Sequence, residues 1–309
     1  MLGIVISIAS IYGFIAIGYA SKKFLKEEIN EKGLILLSIY FLQPMLSFWG
    51  LSTKPIDAQL LQAPFIYISI SLGFIVLSYG IARLFFTDIK EQSIITICVI
   101  IGNTGNLGIP LGIALFGEAS IIYTSMINVS NVFIVYTLGV FFYSRGNFSI
   151  TESLRNIFKL PVIWFAGAAL GLNLLHVSIH PALLKSLEMG AYCTMVIQLI
   201  IFGMYLCNVK LRALNTRLLL HVHVIKFVLT PLIVGSILFG FLDLDPMVAT
   251  LIFLELIVPL AVTNVNLSAL YDCKPIDVTS LVFFTSLFFI PFFILISYLL
   301  HTFLGIGNV

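Results

Sequence analysis

Apolar runs of about twenty residues recur along this chain, and they restrict its possible folds more than any other feature. Such a run matches the thickness of the bilayer core, where only a helix or a closed barrel satisfies the backbone hydrogen bonds. The alternating apolar and polar residues of membrane barrel strands are absent. With 60% hydrophobic and 10% charged residues, the sequence predicts an all-α polytopic membrane protein.

Charged and turn-forming residues divide the sequence into ten predicted transmembrane helices. Their approximate ranges are 2–20, 33–51, 64–86, 93–116, 119–143, 161–176, 187–207, 218–241, 247–270 and 277–304. Lysine and arginine concentrate in cytoplasmic loops, and thirteen of the sixteen follow an odd-numbered helix: Lys22, Lys23, Lys26, Lys32, Arg83, Lys90, Arg145, Arg155, Lys159, Lys210, Arg212, Arg217 and Lys274. Lys54 and Lys185 follow even-numbered helices. Both termini are therefore predicted to be periplasmic or extracellular.

A basic segment follows the fifth predicted helix and divides the chain into halves of similar length. Because five is an odd number, the halves would have opposite orientations in the membrane. Each half has a helix-breaking sequence in its fourth helix, around Pro110 and around Pro259. The sequence predicts a first five-helix repeat at 1–143, a cytoplasmic linker at 144–160 and a second, inverted five-helix repeat at 161–309.

The fourth predicted helix contains a sequence that breaks helices and offers many hydrogen-bonding groups. Its distinctive residues are Gly102, Asn103, Thr104, Gly105, Asn106 and Pro110. In the bilayer core a broken helix is tolerated only where protein or a water-filled cavity covers it, and transporters bind small solutes at such breaks. A packed proline kink is the alternative interpretation. We favour a substrate site formed by these residues.

A second break is predicted in the ninth helix at Pro259, followed by the polar residues Thr263 and Asn264. A proline kink is again the alternative. If the two breaks meet near the middle of the membrane, the N-termini of the half-helices that follow them present partial positive charge. An organic anion is therefore the favoured substrate. Asn131 in the fifth helix is expected either to line the same cavity or to pack helices together.

Two ionisable residues lie well away from the ends of predicted helices, where a charge is costly. Glu255 precedes the second break, and Lys226 lies in the eighth helix. Both are candidates for ion coupling, with H⁺ or Na⁺ as the coupling ion. An ion pair between them could equally fix the register of the helices, and the sequence leaves this pairing open. Neither a metal site nor any other cofactor is predicted, and motifs of enzymes and of ATP binding are absent.

Several motifs resemble those of the auxin efflux carrier family, in its bacterial, malate-permease-like form and in its plant PIN-like form. They are Gly102-Asn103-Thr104-Gly105, Gly108-Ile109-Pro110, Phe116-Gly117-Glu118, Ile257-Val258-Pro259, Tyr271, and Asn131 with Tyr136-Thr137-Leu138-Gly139. The resemblance covers essentially the whole chain. It implies a ten-helix inverted repeat with crossed breaks in helices four and nine, as in bile-acid symporters and sodium/proton antiporters. It also implies an elevator mechanism and a homodimer in a bacterial inner membrane.

The substrate site that the resemblance implies combines residues of both breaks: Asn103, Thr104, Pro110, Pro259, Thr263 and Asn264. The substrate class shared by the family is a carboxylate, such as malate or an auxin-like acid, moved by secondary active or facilitative transport. Glu255 and Asn106 differ from the residues expected at their positions, so that substrate and coupling could differ as well. The bilayer and a small organic anion are the expected partners, and nucleic acid is not.

Two alternatives remain open at this point. A sodium- or proton-coupled organic-anion symporter of the bile-acid-symporter type would coordinate sodium through oxygen-bearing side chains around both breaks: Asn103, Asn106, Glu255, Thr263 and Asn264. Sodium dependence of uptake distinguishes this possibility. A membrane sensor would bind the solute and signal to a partner protein without flux, but the short predicted loops make it the least favoured interpretation.

Overall fold

The computed structural model describes residues 2–53, 55–56, 58–144, 158–207 and 214–304. In these ranges the regular structure is helical, and the only extended pairing is an isolated bridge. The predicted all-α class is confirmed. Most of the predicted linker 144–160 lies outside the described residues, as do five of the basic residues used to predict the topology: Lys54, Arg145, Arg155, Lys210 and Arg212.

Twelve helices, labelled α1 to α12 in chain order, make up the described part of the chain. The first six are α1 Leu2–Leu25, α2 31–51, α3 Ala58–Phe85, α4 Ile89–Cys98, α5 104–116 and α6 121–143. The other six are α7 Pro161–Leu174, α8 Pro181–Leu206, α9 216–241, α10 Pro246–Ile257, α11 Thr263–Leu270 and α12 Pro275–Leu304. Four helices contain π-helical turns, at Ser38–Leu42, Thr104–Gly108, Val135–Gly139, Ile225–Leu229 and Ser236–Phe241.

Six helical segments of the described chain are long and apolar enough to cross a bilayer: Gly33–Leu51, Leu60–Phe85, Thr104–Tyr143, Pro181–Leu206, Thr216–Phe241 and Pro275–Leu300. Helices α7 and α10 are apolar but shorter. The segment of 40 residues is divided at Gly117, whose φ of +67° ends α5, and a 3₁₀ turn leads into α6. Length and composition therefore establish a multi-spanning helical protein, and the division into ten spans stays a prediction.

The helices pack in two groups. In the first group α1 packs along α8, and α2 packs against α7 and α8. In the second group α3 packs against α4, α6 and α10, while α12 packs against α9 and α11. Contacts of α6 with α2, and of α5 with α1 and α8, join the groups. The site described below lies where the groups meet.

Glycines bring the backbones of α1 and α8 into direct contact. A Cβ atom at Gly18 would collide with the carbonyl group of Ile200, and one at Gly203 would collide with the carbonyl group of Ile15. Small residues allow membrane helices to approach this closely, so that packing and not the hydrophobic effect holds them together. The first group is thus built around a tight helix pair.

An ionic cluster joins the ends of α4, α11 and α12. Lys274 Nζ lies 2.8 Å from Asp88 Oδ2 and 2.7 Å from Glu91 Oε1, and Lys90 Nζ lies 2.9 Å from Asp272 Oδ2. The hydrogen bond from Lys274 lowers the pKa of the Asp88 carboxyl group. Loops that follow the third and ninth predicted helices therefore meet at one end of the second group, as the predicted distribution of basic residues requires.

Candidate functional site

Two non-helical segments interrupt the second helix group. One joins α4 to α5 over residues 99–103, and the other joins α10 to α11 over residues 258–262. Val258, which precedes Pro259, has φ −52° and ψ 149°, because a proline disfavours the helical conformation of the residue before it. The second break lies at Pro259 as predicted. The first lies at Gly102, before Pro110, which falls inside helix α5.

The two breaks pair with each other as short antiparallel segments. The N–H of Asn103 donates to the carbonyl of Pro259 over 2.8 Å, and the N–H of Ala261 donates to the carbonyl of Ile101 over 2.9 Å. Gly102 lies opposite Leu260 in this bridge. Backbone groups that a broken helix would leave unpaired in the membrane are satisfied in this way.

Asn264 connects both breaks from the start of α11. Its Nδ2 donates to the carbonyls of Ile101, at 2.9 Å, and of Ala261, at 3.0 Å, and its Oδ1 accepts from the Tyr143 hydroxyl at 2.8 Å. The side chain is fully buried. Because these hydrogen bonds engage the amide group, Asn264 supports the breaks from within the protein.

Replacing Asn264 with aspartate is expected to destabilise the protein. The substitution keeps the size and the acceptor for Tyr143, but it removes both donated hydrogen bonds and adds a negative charge. Both carbonyls keep a backbone N–H donor, so each lost hydrogen bond costs about 1 kcal/mol, and burial of the unpaired charge adds a larger cost. Tyr143→Phe removes a single hydrogen bond worth about 1 kcal/mol. Thermal melting in detergent should rank wild type first, then Tyr143→Phe, then Asn264→Asp. Equal melting temperatures for Asn264→Asp and wild type would contradict this role.

Asn131 of α6 supports the first break from the opposite side. Its Nδ2 donates to the Gly102 carbonyl at 3.1 Å and to Thr104 Oγ1 at 3.0 Å, while its Oδ1 accepts from the Tyr67 hydroxyl at 3.2 Å. Thr104 Oγ1 in turn donates to Asn128 Oδ1 at 2.9 Å. This network fixes the conformation of the segment that leads into α5.

A cavity of about 70 Å³ lies against the paired breaks. Its polar wall combines the first break with side chains of five helices: Asn103, Thr104, Asn106, Asn128, Asn131, Thr263, Gln43 and Gln198. None of the described residues that line it is charged. A volume of this kind holds several water molecules, since about 10–15 Å³ is enough for one.

The walls of the cavity come from both helix groups. Gln43 of α2 and Gln198 of α8 represent the first group, and the residues of the breaks and of α6 represent the second. Gln198 Nε2 donates to the hydroxyl of Ser38 at 2.6 Å. The Gln43 residue follows the π-helical turn Ser38–Leu42 and precedes Pro44, whose missing N–H loosens the preceding turn.

The structure places most of the predicted site residues in the cavity wall: Asn103, Thr104, Gly105, Asn106, Asn131 and Thr263. Pro259 contributes its carbonyl to the bridge, and Asn264 holds both breaks. Pro110 lies instead beside an apolar cleft with Tyr192 and Met195. Gln198 was not predicted as a lining residue, although its position in the second helix of its half matches that of Gln43.

Lys226 connects the C-terminal ends of two helices. It lies in the π-helical turn Ile225–Leu229 of α9 and is 1% exposed. Its Nζ donates to the carbonyl of Val99 at 3.1 Å, at the end of α4, and to that of Leu256 at 2.8 Å, in the last turn of α10. The C-terminal end of a helix carries partial negative charge. The ammonium group of Lys226 complements this charge at the C-terminal ends of both α4 and α10.

Glu255 has a separate environment. It is fully buried, and neither carboxyl oxygen has a hydrogen-bond partner among the described residues. In the described part of the chain no ion pair joins it to Lys226, so the pairing that the sequence left open is not formed. The carboxyl group packs against the backbone of Gly108 in α5, where a Cβ atom would collide with it.

The cavity between two paired helix breaks is the kind of site that membrane transporters use for small solutes. A family model described as membrane transport protein matches residues 3–297. No curated protein sequence matches the chain significantly. Since the family match covers nearly all of its length, the chain belongs to the membrane transport protein family, which is that of the auxin efflux carriers.

Proposed function

We propose that this membrane transporter moves a small organic anion by alternating access at the paired breaks. The observation that carries the proposal is the amide-lined cavity where the breaks meet, with walls from both helix groups. Helices α5 and α11 begin at this cavity with Thr104 and Thr263. Their N-terminal ends provide partial positive charge for a carboxylate without a fixed cation.

The lining chemistry favours binding that is strong enough for recognition and weak enough for release. Neutral amides such as Asn103 and Gln43 can donate hydrogen bonds to a carboxylate. A lysine or arginine in the wall would add a charge-assisted bond of roughly twice the strength and would slow release. A carrier must bind its solute in both of its states, so differential affinity between them should be small.

Movement of the second helix group against the first would open the cavity to either face of the membrane. We propose an elevator movement of this kind, in a ten-helix inverted repeat whose breaks cross near the middle of the bilayer. The tight α1 and α8 pair supports a fixed first group, and the ionic cluster around Lys274 supports a second group that moves as one body. A homodimer in a bacterial inner membrane, with both termini outside, completes the proposal.

We propose that transport of the anion does not require sodium. The Nζ atom of Lys226 lies between the carbonyl-bearing ends of α4 and α10, where carbonyl oxygens could otherwise coordinate a cation. This ammonium group favours sodium-independent transport over the sodium-coupled alternative. Substituting potassium for sodium in an uptake assay should therefore leave the rate unchanged, and a steep sodium dependence would favour the alternative.

Charge movement in proteoliposomes on a solid-supported membrane tests the proposal. Malate, succinate, other carboxylates and indole-3-acetate are applied in turn, each with and without sodium. Wild type and Gln62→Ala, which removes an exposed amide from α3, should give the same currents. Asn103→Ala removes an amide of the cavity wall and should lower them at least about tenfold, the equivalent of 1.4 kcal/mol. Silence in currents and in radiolabelled exchange across the panel would refute an organic-anion carrier.

A further inference from the structure

Glu255 is a buried acid with no role in the proposed binding of the anion. It lies in α10 one residue before Leu256, whose carbonyl binds Lys226, and it is absent from the wall of the cavity. It is 0% exposed, and both carboxyl oxygens lack a hydrogen-bond partner in the described part of the chain. A carboxyl group in this position takes part in no hydrogen-bond network of the described residues.

The groups that face Glu255 come from several helices. Helix α5 presents Gly108, which has no side chain, and α3 presents the Tyr67 hydroxyl within electrostatic reach. Helix α9 carries Lys226, but its ammonium is directed to the carbonyls of Val99 and Leu256. Helix α6 packs against α10, and its Asn131 accepts from the Tyr67 hydroxyl. No group on these helices neutralises a carboxylate at Glu255 within the described structure.

An unpaired carboxylate in such surroundings is strongly disfavoured. Burial of a charge without a partner costs many kcal/mol, and a buried group takes up a proton instead. The closed arrangement of α5 against α10 therefore requires the neutral acid. Water that reaches this contact when the cavity opens removes the restriction, so the protonation of Glu255 depends on the state of the transporter.

We propose that Glu255 carries a proton that accompanies the anion through each transport cycle. At the face where the site is open, the carboxylate takes a proton from water and forms the O–H bond of the neutral acid. After the movement, the O–H bond breaks at the other face and the proton returns to water there. The inference rests on the proposed anion transport and adds its coupling ion.

The position of Glu255 explains why proton and anion would bind together. Gly108, against which the carboxyl packs, ends the π-helical turn that begins with Thr104 at the cavity. A negative charge at Glu255 would repel an anion near this turn, whereas the neutral acid would not. Linkage is reciprocal, so binding of the anion should also favour protonation. The proton and the anion would therefore cross the membrane together in the same direction.

Uptake driven by a pH gradient tests this inference. Proteoliposomes receive a radiolabelled carboxylate that the protein exchanges, with the membrane potential held at zero by potassium and valinomycin. Protein-free liposomes correct for passive entry of the neutral acid. One pH unit corresponds to 1.36 kcal/mol per proton, so a one-unit gradient, acidic outside, should drive accumulation of up to about tenfold.

The variant Glu255→Gln keeps the shape of the side chain and removes its titration. It should retain carboxylate exchange at zero pH gradient and lose the accumulation, so that the inside and outside concentrations become equal. Glu118→Gln removes an exposed carboxyl group in the loop before α6 and should accumulate like wild type. Accumulation by Glu255→Gln at the wild-type level would overturn the inference.

Further outcomes distinguish a failure of proton coupling from a failure of the proposed anion transport. Wild-type exchange without pH-driven accumulation would refute proton coupling and leave the carrier intact. Absence of wild-type exchange for every carboxylate would refute the carrier itself. If Glu255→Gln loses exchange too, the uptake of protons by the wild-type protein is measured in a weakly buffered solution when the carboxylate binds. Uptake of about one proton per bound carboxylate supports the inference, and no uptake overturns it.

Discussion

Replacing Lys226 with methionine is expected to abolish transport and to lower the melting temperature of the protein. Methionine fills a similar volume but donates no hydrogen bond, so the carbonyls of Val99 and Leu256 lose this donor. A buried carbonyl left unpaired costs about 1–3 kcal/mol. Relief from burying an ammonium group offsets part of that loss. The net change in stability is therefore expected to be modest, in the range of a few kcal/mol.

The effect on transport should be larger, because Lys226 holds together the ends of both helices that lead into the breaks. Each 1.4 kcal/mol lost from this arrangement lowers the functional population about tenfold. Lys185→Met removes an exposed lysine that pairs with Glu188 and should change neither property, since exposed ion pairs contribute about 0–1 kcal/mol. Transport by Lys226→Met at half the wild-type rate or more would show that the connection is dispensable.

Replacing Gly203 with alanine is expected to cause the largest loss of stability among single methyl additions. The new Cβ would collide with the carbonyl group of Ile15 and lie 2.7 Å from the backbone nitrogen of Tyr19. Backbone atoms cannot rotate away, so α1 and α8 would have to separate. Overpacking costs typically about 1–3 kcal/mol and occasionally more, and both obstacles here belong to the backbone, which argues for the upper end.

The matched control for this prediction is Gly13→Ala in α1. A Cβ at Gly13 meets no described atom within 4 Å, and alanine favours a helix over glycine by about 1 kcal/mol. The two substitutions should thus shift the melting temperature in opposite directions. A loss of stability of similar size in both variants would mean that α1 and α8 do not pack closely through Gly203.

The positions of the helix breaks could be predicted from the sequence, because glycine and proline act on the local backbone. The breaks at 99–103 and 258–262 lie at Gly102 and Pro259, whereas Pro110, around which the first break was predicted, lies inside α5. The family resemblance implied that the two breaks cross, but the register of their pairing could not be predicted. The hydrogen bond between Asn103 and Pro259 joins residues far apart in the chain, and no local pattern specifies its register.

The roles of single polar residues were harder to predict. Asn264 and Asn131 were expected as substrate ligands, but their amides form hydrogen bonds with the backbone of the breaks. An amide in an apolar segment looks the same in the sequence whether it faces backbone or solute. Gln198 was overlooked for this reason, and only its correspondence with Gln43 in the other half could have indicated it.

Opposite charge suggested Glu255 as a partner for Lys226, but the structure directs the ammonium to two helix ends instead. Lys226 lies in the π-helical turn Ile225–Leu229, and the residue types alone do not indicate the direction of its side chain. In the sequence Gly108 was noted only as part of the motif Gly108-Ile109-Pro110. Its function as the surface against which the Glu255 carboxyl packs depends on how α5 and α10 meet.

The most direct test of alternating access at the paired breaks is labelling of a cysteine in the cavity wall. The native cysteines, Cys98, Cys193, Cys207 and Cys273, are replaced by serine, and Asn106→Cys is introduced. A membrane-impermeant thiol reagent is applied to right-side-out and inside-out vesicles. A Thr53→Cys variant, in a separate cleft of the loop region, serves as the control.

We predict that the cysteine introduced at Asn106 is labelled from both faces and that a transported carboxylate slows its labelling at least several-fold. Labelling at Thr53→Cys should occur from one face and be unaffected by the carboxylate. Labelling at Asn106→Cys from one face only, at a rate that a transported carboxylate leaves unchanged, would contradict a solute site with alternating access at the breaks.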